Sequence, residues 1–155
     1  MKWKIPNKIK VYEALGSIAD ARIKLNGNSA QVFSSSGNKN YTVTFDPDTN
    51  AITSNDNGSY WQGYLGYPSI AVLMAKGLIK YNNDFAEALK GIHWKDINTK
   101  FKNDFDKTTD YIHDLLQDKK INLKLFKAEV DAILSQISKL KINKLGTTPK
   151  PPQGY

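Results

Sequence analysis

The chain has 155 residues, which is enough for one folded domain or for a small domain with an extension. Its 40% hydrophobic and 24% charged residues exclude disorder throughout the chain, and the lack of cysteine excludes disulfides, thiol nucleophiles and Cys-based zinc sites. The 22 Lys and Arg residues outnumber the 15 Asp and Glu residues by 7, and the pI near 9.4 is typical of nucleic-acid-binding domains.

The first half of the chain has the residue pattern of β-strands. Runs of β-branched and aromatic residues predict strands at 21–25, 30–33, 41–45 and 51–53. The segments between them are short and rich in turn-forming residues, so the strands should form an antiparallel meander. Before the first strand, the apolar spacing predicts a helix over 8–19, which Gly16 weakens.

The middle of the chain begins with a Gly- and aromatic-rich loop over 55–68. Loops of this length inside a compact domain are often functional. Pro68 then opens an apolar helix over 69–76, which should be buried against the sheet. A short helix over 84–90 follows, and its predicted N-cap is Asp84.

Helical spacing dominates the last third of the chain. It runs over 94–117 and resumes after Asn122, a predicted N-cap. In this second helix the apolar residues are alternately three and four positions apart, which is the a/d pattern of a coiled coil. The residues that we predict to pair with a second copy of the chain are Leu123, Phe126, Val130, Ile133, Ile137 and Leu140. The alternative is that they pack onto the chain's own helices.

Together these elements predict an α+β fold, in which a small antiparallel sheet packs with helices and is followed by a C-terminal, coiled-coil-like dimerisation segment. The predicted organisation is a nucleic-acid-binding domain over 1–118, a helical self-association segment over 119–145 and a flexible Pro-rich tail over 146–155. We therefore expect a homodimer or a homotetramer. No apolar run reaches the ~18 residues of a membrane span, and the N-terminus lacks an apolar signal core, so we expect a cytoplasmic protein without a membrane partner.

Residues that could support catalysis are few. The two histidines, His93 and His113, are too few for a typical zinc site without cysteine. Asp46, Asp48 and Asp56 could hold a metal ion for phosphodiester hydrolysis, but an Asp-Pro-Asp sequence between strands is also typical of a turn, and we favour the turn. The glycines match no phosphate-binding motif. We expect a protein that is not an enzyme and uses no metal ion or cofactor.

The basic and aromatic residues together favour binding of a single nucleic-acid strand. Nearly all the basic residues are Lys, which binds phosphate as a point charge, and Arg22 is the one Arg, so little readout of base sequence is expected. The 8 Tyr, 6 Phe and 3 Trp could supply rings on which bases stack. The alternative is that the lysines reflect the surface of a thermophile protein.

Five segments within residues 10–105 carry a family pattern. They are Ser35-Ser-Gly37, Tyr41-Thr-Val43, Ser54-Asn-Asp-Asn-Gly58, Gly63-Tyr-Leu-Gly-Tyr-Pro-Ser-Ile-Ala-Val-Leu-Met74 and Leu89-Lys-Gly-Ile-His-Trp-Lys95. This pattern resembles the ThermoDBP family of archaeal single-stranded DNA-binding proteins. The resemblance implies a small α/β DNA-binding domain followed by a leucine-rich dimerisation segment. It also implies an aromatic and apolar cleft with a basic rim, which binds single strands without sequence preference.

A second pattern, strand-turn-strand followed by Tyr67-Pro-Ser-Ile-Ala-Val-Leu73, resembles the layout of SWIM zinc modules. In those modules cysteines and a histidine would stand near Ser54, Tyr67 and Ser69, where this chain has no such ligand. This resemblance therefore implies a zinc-free version of the module, in which a metal role is excluded.

The function that we predict is sequence-independent binding of single-stranded DNA, with RNA as an alternative ligand. The residues predicted to neutralise phosphates are Lys10, Arg22, Lys24 and Lys39. The residues predicted to stack on bases, some of which must lie in the core, are Tyr41, Phe45, Tyr60, Trp61 and Tyr64. A scaffold protein whose basic face binds another protein is the second interpretation, and a metal-dependent nuclease is the third.

Overall fold

A computed structural model describes residues 1–153 and shows an α+β fold, which confirms the predicted fold class. The strands are β1 (Ile23–Asn26), β2 (Ser29–Phe33), β3 (Asn40–Asp46), β4 (Ala51–Ser54) and β5 (Asn143–Lys144). The α-helices are α1 (Ile9–Ala19), α2 (Tyr67–Ala75), α3 (Asn83–Ala88), α4 (Trp94–Lys100), α5 (Phe105–Asp118) and α6 (Leu123–Leu140). A π-helical turn spans Gly58–Gln62.

The first four strands form the antiparallel meander that the sequence predicts. Side chains alternate between the two faces along β3, because successive residues of a strand point in opposite directions. Tyr41, Val43 and Phe45 are buried, whereas Thr42 is exposed. One face of the meander therefore lies against the rest of the protein, and we call it the inner face.

The sheet is mixed rather than fully antiparallel, because β5 pairs in parallel with β4 at one edge. A strand of two residues has too little pattern to be recognised in a sequence. The N-terminal segment lies at the same edge. There the backbone amide of Trp3 donates to the carbonyl of Ile142 at 3.1 Å, and the Trp3 indole donates to the carbonyl of Ile52 at 2.9 Å.

Helix α2 packs on the inner face of the sheet, and α1 packs against α2. The residues of α2 from Pro68 to Met74 are buried, as its apolar composition predicts. The interior of α1 contains Gly16, where a Cβ would lie only 3.0 Å from the indole nitrogen of Trp94. The close approach of Trp94 explains why a residue that weakens helices is present at this position.

The N-cap predicted for the sixth helix is confirmed, and the one predicted for α3 is wrong. Asn122 caps α6, where its side chain accepts a hydrogen bond from the backbone amide of Leu125 at 3.1 Å. In α3 the cap is Asn82, whose side chain accepts from the backbone amide of Asp84 at 2.9 Å. Asp84 instead lies in the first turn, where a carboxylate favours the positive end of the helix dipole.

The single helix predicted over 94–117 is two helices, α4 and α5. Lys102 and Asn103 adopt left-handed backbone conformations, with φ angles of 53° and 59°, and these conformations end the first helix. Asp104 then starts α5, and its side chain accepts a hydrogen bond from the backbone amide of Lys107 at 3.2 Å. The break matters for the site described below, because it changes the direction of the chain there.

The apolar residues of α6 pack inside the chain. Phe126, Val130, Ile133 and Ile137 are at most 3% exposed, and Leu123 and Leu140 are half-buried beside them. The Phe126 ring meets the Tyr12 ring of α1 edge-on, with 5.0 Å between their centres. This burial corresponds to the alternative interpretation, in which the residues pack onto the chain's own helices. Pairing of these six residues with a second copy stays a prediction, and their burial gives it no support.

A single apolar core includes residues on both sides of the boundary predicted at 118/119. Residues 146–153 form neither helix nor strand, and residues 154 and 155 of the predicted tail lie outside the described residues. None of the helices within the described range is long and apolar enough to cross a membrane.

Candidate functional site

A cavity of about 460 Å³ lies where α1, the β2–β3 turn, the start of β3 and α4 come together. Its volume falls within the range of about 300–1,000 Å³ that is typical of ligand-binding pockets. The segment from Asp56 to Tyr67, which includes the π-helical turn, forms another wall. We call this cavity the cleft, and it is defined by Lys10, Glu13, Arg22, Tyr41, Trp61 and Asn98.

Arg22 is fixed in the cleft just before β1. Its Nη1 donates to the carbonyl of Phe33 at 2.6 Å, and its Nε donates to the carboxylate of Asp20 at 3.3 Å. The guanidinium carbon lies 6.0 Å from the centre of the Tyr67 ring. Nη2 is buried and makes no hydrogen bond of good geometry within residues 1–153. Arg22 therefore brings a fixed positive charge to the cleft at little further cost in side-chain entropy.

Lys10 and Glu13 form a salt bridge one turn apart on α1, with Nζ 3.1 Å from Oε2. The other carboxylate oxygen, Oε1, accepts a hydrogen bond from Nδ2 of Asn98 at 2.9 Å. Burial by itself lowers the pKa of Lys10, but the attraction of Glu13 and of Tyr64 outweighs it, and the net pKa is raised. Lys10 is therefore charged at neutral pH, and much of its charge is balanced by Glu13.

Two glycines allow the segment before α2 to fold closely on itself. A Cβ at Gly66 would overlap the carboxylate of Asp56, and a Cβ at Gly58 would overlap the ring of Tyr64. The same carboxylate accepts hydrogen bonds from Ser59, from its backbone amide at 3.1 Å and from its hydroxyl at 2.7 Å. Asp56 therefore anchors the π-helical turn.

Three tyrosines line the cleft, and burial raises the pKa of each of them. The pKa of Tyr41 is raised to about 12. The pKa of Tyr64 rises despite the opposing charge of Lys10, and that of Tyr67 rises despite the opposing charge of Arg22. All three hydroxyls are therefore neutral at physiological pH and can both donate and accept hydrogen bonds.

Trp61 is the exposed aromatic residue of the cleft. It lies in the π-helical turn and is 66% exposed, whereas Tyr41, which also lines the cleft, is 8% exposed. The ring of Tyr60 supports the Trp61 indole edge-on, with 4.7 Å between the two centres. This pair presents a ring face at the mouth of the cleft, where a planar ligand could stack.

The cleft contains six of the nine residues predicted to bind nucleic acid. These are Lys10, Arg22, Lys39, Tyr41, Trp61 and Tyr64. Phe45 does not line the cleft, because it lies in the core and is only 3% exposed, and this burial gives its predicted stacking role no support. Tyr60 does not line it either, although it contacts Trp61.

Lys24 lies on the other face of the sheet. In the strand register it pairs with Gln31, and Gln31 pairs with Thr42, whose side chain is exposed on the outer face. Tyr41 is on the inner face, because adjacent strand residues point to opposite sides. Lys24 and Tyr41 therefore belong to different surfaces, and Lys24 does not line the cleft, which gives its predicted role in phosphate binding there no support.

Several residues of the cleft were not identified from the sequence. Six come from α4, the turn that follows it and the start of α5, and they are Trp94, Lys95, Asn98, Thr99, Asn103 and Phe105. The backbone amide of Lys95 donates to the Ser35 hydroxyl at 3.4 Å, which joins α4 to the β2–β3 turn. The sequence Lys-Asn-Asp at 102–104 indicates a break in the helix. It does not indicate which residues α4 packs against in the folded protein.

No group of three or more His, Asp or Glu side chains within residues 1–153 is placed to hold a metal ion. Asp46 is occupied in its own turn, where its carboxylate accepts from the backbone amide of Asp48 at 3.0 Å and from the Thr49 hydroxyl at 2.8 Å. His113 is buried and does not line the cleft, and its Nε2 lies 2.8 Å from the hydroxyl of Tyr12.

Comparison with known proteins gives one family. No curated protein and no solved structure matches the chain. A family profile described as uncharacterised conserved protein UCP014422 matches residues 3–143, a range that includes the cleft and all five strands up to the first residue of β5. The chain therefore belongs to the UCP014422 family of conserved proteins.

Proposed function

We propose that this chain binds single-stranded nucleic acid in the cleft without sequence preference. The observation that carries the proposal is the presence of cationic and aromatic side chains in one cavity, namely Lys10, Arg22 and Lys39 with Tyr41, Trp61 and Tyr64. Binding of a single strand needs both kinds of residue, because cations neutralise the phosphates while rings stack on the bases.

The charge of the cleft supports an anionic ligand. Its lining includes the cations Lys10, Arg22, Lys39 and Lys95 and the two carboxylates Glu13 and Asp56. Both carboxylates accept hydrogen bonds from neighbouring side chains, so their lone pairs are partly committed. The excess of positive charge favours phosphate over a neutral ligand. With Arg22 held by Phe33 and Asp20, no fork of guanidinium donors is left free to read a guanine edge, which supports binding without sequence preference.

The shape of the cleft favours a single strand over a duplex. Bases of a duplex are stacked on one another and cannot reach a ring inside a cavity, whereas those of a single strand can be splayed out. The exposed ring of Trp61 would stack on one such base at the mouth of the cleft. The resemblance of Gly63-Tyr-Leu-Gly-Tyr-Pro68 and its neighbours to the ThermoDBP family agrees with this proposal and favours DNA over RNA.

The test is a titration of fluorescently labelled oligonucleotides, single-stranded and duplex, of about 12 nucleotides. We expect tighter binding of the single strand than of the duplex. The logarithm of the binding constant should fall linearly with the logarithm of the salt concentration, with a slope of about 0.7 per phosphate contact. Similar affinities for strands of different base composition would support the absence of sequence preference.

A matched pair of variants tests the location of the site. Lys39→Gln removes a cation from the cleft, whereas Lys24→Gln removes one from the outer face of the sheet. We expect Lys39→Gln to weaken binding and to lower the salt slope by about 0.7, and Lys24→Gln to change neither. No binding at low salt would contradict the proposal and favour a scaffold protein, and cleavage of the oligonucleotide would favour a nuclease.

A further inference from the structure

A second, smaller cavity of about 160 Å³ lies beside the segment that forms one wall of the cleft. Consecutive residues of that segment line the two cavities, Tyr64 the cleft and Leu65 the smaller one. We call the smaller cavity the basic hollow, and it is defined by Lys2, Lys4, Ile5, Leu65, Ile137 and Lys141.

Backbone hydrogen bonds connect the basic hollow to the wall of the cleft. The amide of Lys4 donates to the carbonyl of Gly63 at 3.1 Å, and the amide of Leu65 donates to the carbonyl of Lys4 at 3.0 Å. On the other side, Nζ of Lys2 donates to the side chain of Asn143 at 3.1 Å and to the carbonyl of Lys141 at 3.4 Å. The N-terminal segment thus lies between the cleft wall and the end of α6, and the side chain of Lys2 is held at Lys141.

The charges of the basic hollow are all of one sign. Its described lining residues include three exposed lysines, Lys2, Lys4 and Lys141, and no Asp or Glu. A fourth cation, Lys144, lies between the two cavities, with its Nζ 4.8 Å from the centre of the Trp3 ring and 3.5 Å from where a Cβ of Gly63 would lie. Repulsion among these like charges lowers the free energy of unfolding, unless an anionic partner binds and offsets the repulsion.

The floor of the basic hollow is apolar. Leu65, Ile137 and Ile142 are buried beneath it, and Ile5 is 51% exposed at its side. An apolar floor surrounded by lysines suits a ligand with two different sides. One side is anionic and contacts the lysines, and the other is flat and weakly polar and lies on the floor. A nucleotide has this character, since its phosphate is charged and its base has an apolar face.

We infer that the basic hollow is a second contact surface for the same nucleic-acid strand, which leaves the cleft past Lys144 and places its next phosphates on Lys2, Lys4 and Lys141. This inference rests on the proposed function of the cleft. It extends the binding site to residues outside the meander, at the N-terminus and at the end of α6. It predicts that strands long enough to reach beyond the cleft bind more tightly than strands that only fill it.

The test compares two variants of the protein, and each is measured with a short and a long strand. The hollow variant carries Lys2→Gln, Lys4→Gln and Lys141→Gln. The control variant carries Lys120→Gln, in the turn before α6, and Lys124→Gln, in the first turn of α6 and about 25 Å along the helix from Lys141. Affinities for oligothymidylates of about 4 and about 12 nucleotides are measured at several salt concentrations.

We expect the hollow variant to lose affinity for the longer strand several-fold and to show a salt slope smaller by about 2, since three phosphate contacts are lost at about 0.7 each. Its affinity for the shorter strand and the behaviour of the control variant should match the wild type. If the wild type binds neither strand, the proposed function fails. If the wild type binds both and the hollow variant behaves as the control does, the second surface is wrong and the cleft stands.

A measurement on the wild type covers the case in which the hollow variant does not fold. Lysines are acylated with a water-soluble reagent, with and without oligonucleotide, and the modified sites are identified by mass spectrometry. We expect the longer strand to protect Lys2, Lys4 and Lys141, and the shorter strand to leave them reactive. Equal modification with and without the longer strand would overturn the inference.

Discussion

Nζ of Lys10 lies 3.1 Å from Oε2 of Glu13 in the wall of the cleft, and this salt bridge brings a cation and a carboxylate into one binding cavity. The carboxylate also accepts from Asn98 of α4, so it connects the first helix to a segment more than eighty residues away in the sequence. Glu13 therefore has two effects: it lowers the net charge of the cleft, and it stabilises the contact between α1 and α4.

Replacement of Glu13 separates these two effects. Glu13→Gln leaves the charge of Lys10 without its partner, and we expect it to lower the free energy of unfolding by about 1–3 kcal/mol. Because the cleft becomes more positive, we expect affinity for a single strand to be retained or increased. Urea unfolding and oligonucleotide titration of the same variant give both quantities.

A double-mutant cycle provides the control for this prediction. Lys10→Met, Glu13→Gln and the double variant together give the coupling energy between the two side chains. A coupling near zero would show that the salt bridge does not contribute to stability. A loss of single-strand binding in Glu13→Gln, with a normal unfolding midpoint, would instead mean that the carboxylate itself contacts the ligand.

The exposed ring of Trp61 gives the second prediction. Trp61→Ala should weaken single-strand binding about five- to a hundredfold, because one stacked base contributes ~1–3 kcal/mol. Its melting temperature should stay close to that of the wild type, because the side chain is 66% exposed and its loss opens no cavity in the core. A melting temperature lowered in proportion to the binding would contradict a stacking role.

Intrinsic fluorescence offers an independent check on Trp61. The other two tryptophans, Trp3 and Trp94, are at most 7% exposed, so a ligand at the mouth of the cleft should change mainly the emission of Trp61. We expect quenching on addition of a single strand to the wild type and much weaker quenching in Trp61→Ala, where Trp94 is the remaining tryptophan of the cleft. Quenching of the same size in the variant would show that the ligand does not stack on Trp61.

The strands could be predicted from the sequence because their signals are local. In β3, Tyr41, Val43 and Phe45 alternate with threonines, and the segments between strands are rich in turn formers. The same pattern could not tell a ring in the cleft from a ring in the core. Tyr41 and Phe45 lie on one face of one strand, and only the helices packed over that face decide that the first borders the cleft and the second does not.

The six apolar residues of α6 that were predicted to pair with a second copy, which we call the seam, show a similar limit. They are Leu123, Phe126, Val130, Ile133, Ile137 and Leu140. Phe126, Val130 and Ile133 have the spacing of a coiled coil, and the spacing requires only that some helix cover them. The sequence cannot say whether that helix belongs to the same chain. In the structure α1 and α5 pack against α6 from within the chain. Asn98 was missed for a related reason, since its hydrogen bond joins residues that are distant in sequence.

The burial of the seam changes what a polar substitution should do. We expect Ile133→Asn together with Ile137→Asn to lower the free energy of unfolding by more than about 4 kcal/mol, because each substitution leaves an unpaired amide in the core. Thermal unfolding measures the loss. Leu125→Asn is the matched control, since Leu125 is 57% exposed on the same helix and its replacement should change stability by less than about 0.5 kcal/mol.

The same variants distinguish the two interpretations of the seam. If the seam joined two copies, the double variant would remain folded and its mass in solution would fall by half. If the seam packs within the chain, the double variant should lose its folded structure, and the number of subunits should be the same as in the wild type. Size-exclusion chromatography with light scattering, beside circular dichroism, separates these outcomes.

The close contact between Gly66 and Asp56 gives the fourth prediction. A Cβ at Gly66 would overlap the buried carboxylate, so Gly66→Ala should force the π-helical turn to move and should cost about 1–3 kcal/mol. We expect a matching loss of single-strand binding, because Trp61 lies in that turn. Gly37→Ala is the control: Gly37 has a positive φ of 77° but no atom within 4 Å of its Cβ position, so it reports backbone strain alone.

The last prediction concerns the pH dependence of stability. Burial lowers the pKa of His113, and the charges of Lys127 and Lys8 lower it further, while Asp110 and Asp114 oppose them. His113 is therefore neutral in the folded protein, with its Nε2 2.8 Å from the Tyr12 hydroxyl. Its pKa is lower in the folded chain than in the unfolded chain, so the unfolded chain binds the proton more readily.

The resulting contribution to stability is complete above the unfolded pKa of about 6.5 and is lost as the pH falls below it. We expect the urea midpoint of the wild type to fall between about pH 7 and pH 5, and we expect His113→Gln to show a smaller fall over this window, since glutamine has no charge to gain. His93→Gln is the matched control, because His93 is exposed and its removal should leave the pH profile unchanged. Equal slopes for the wild type and both variants would mean that protonation of His113 does not oppose folding.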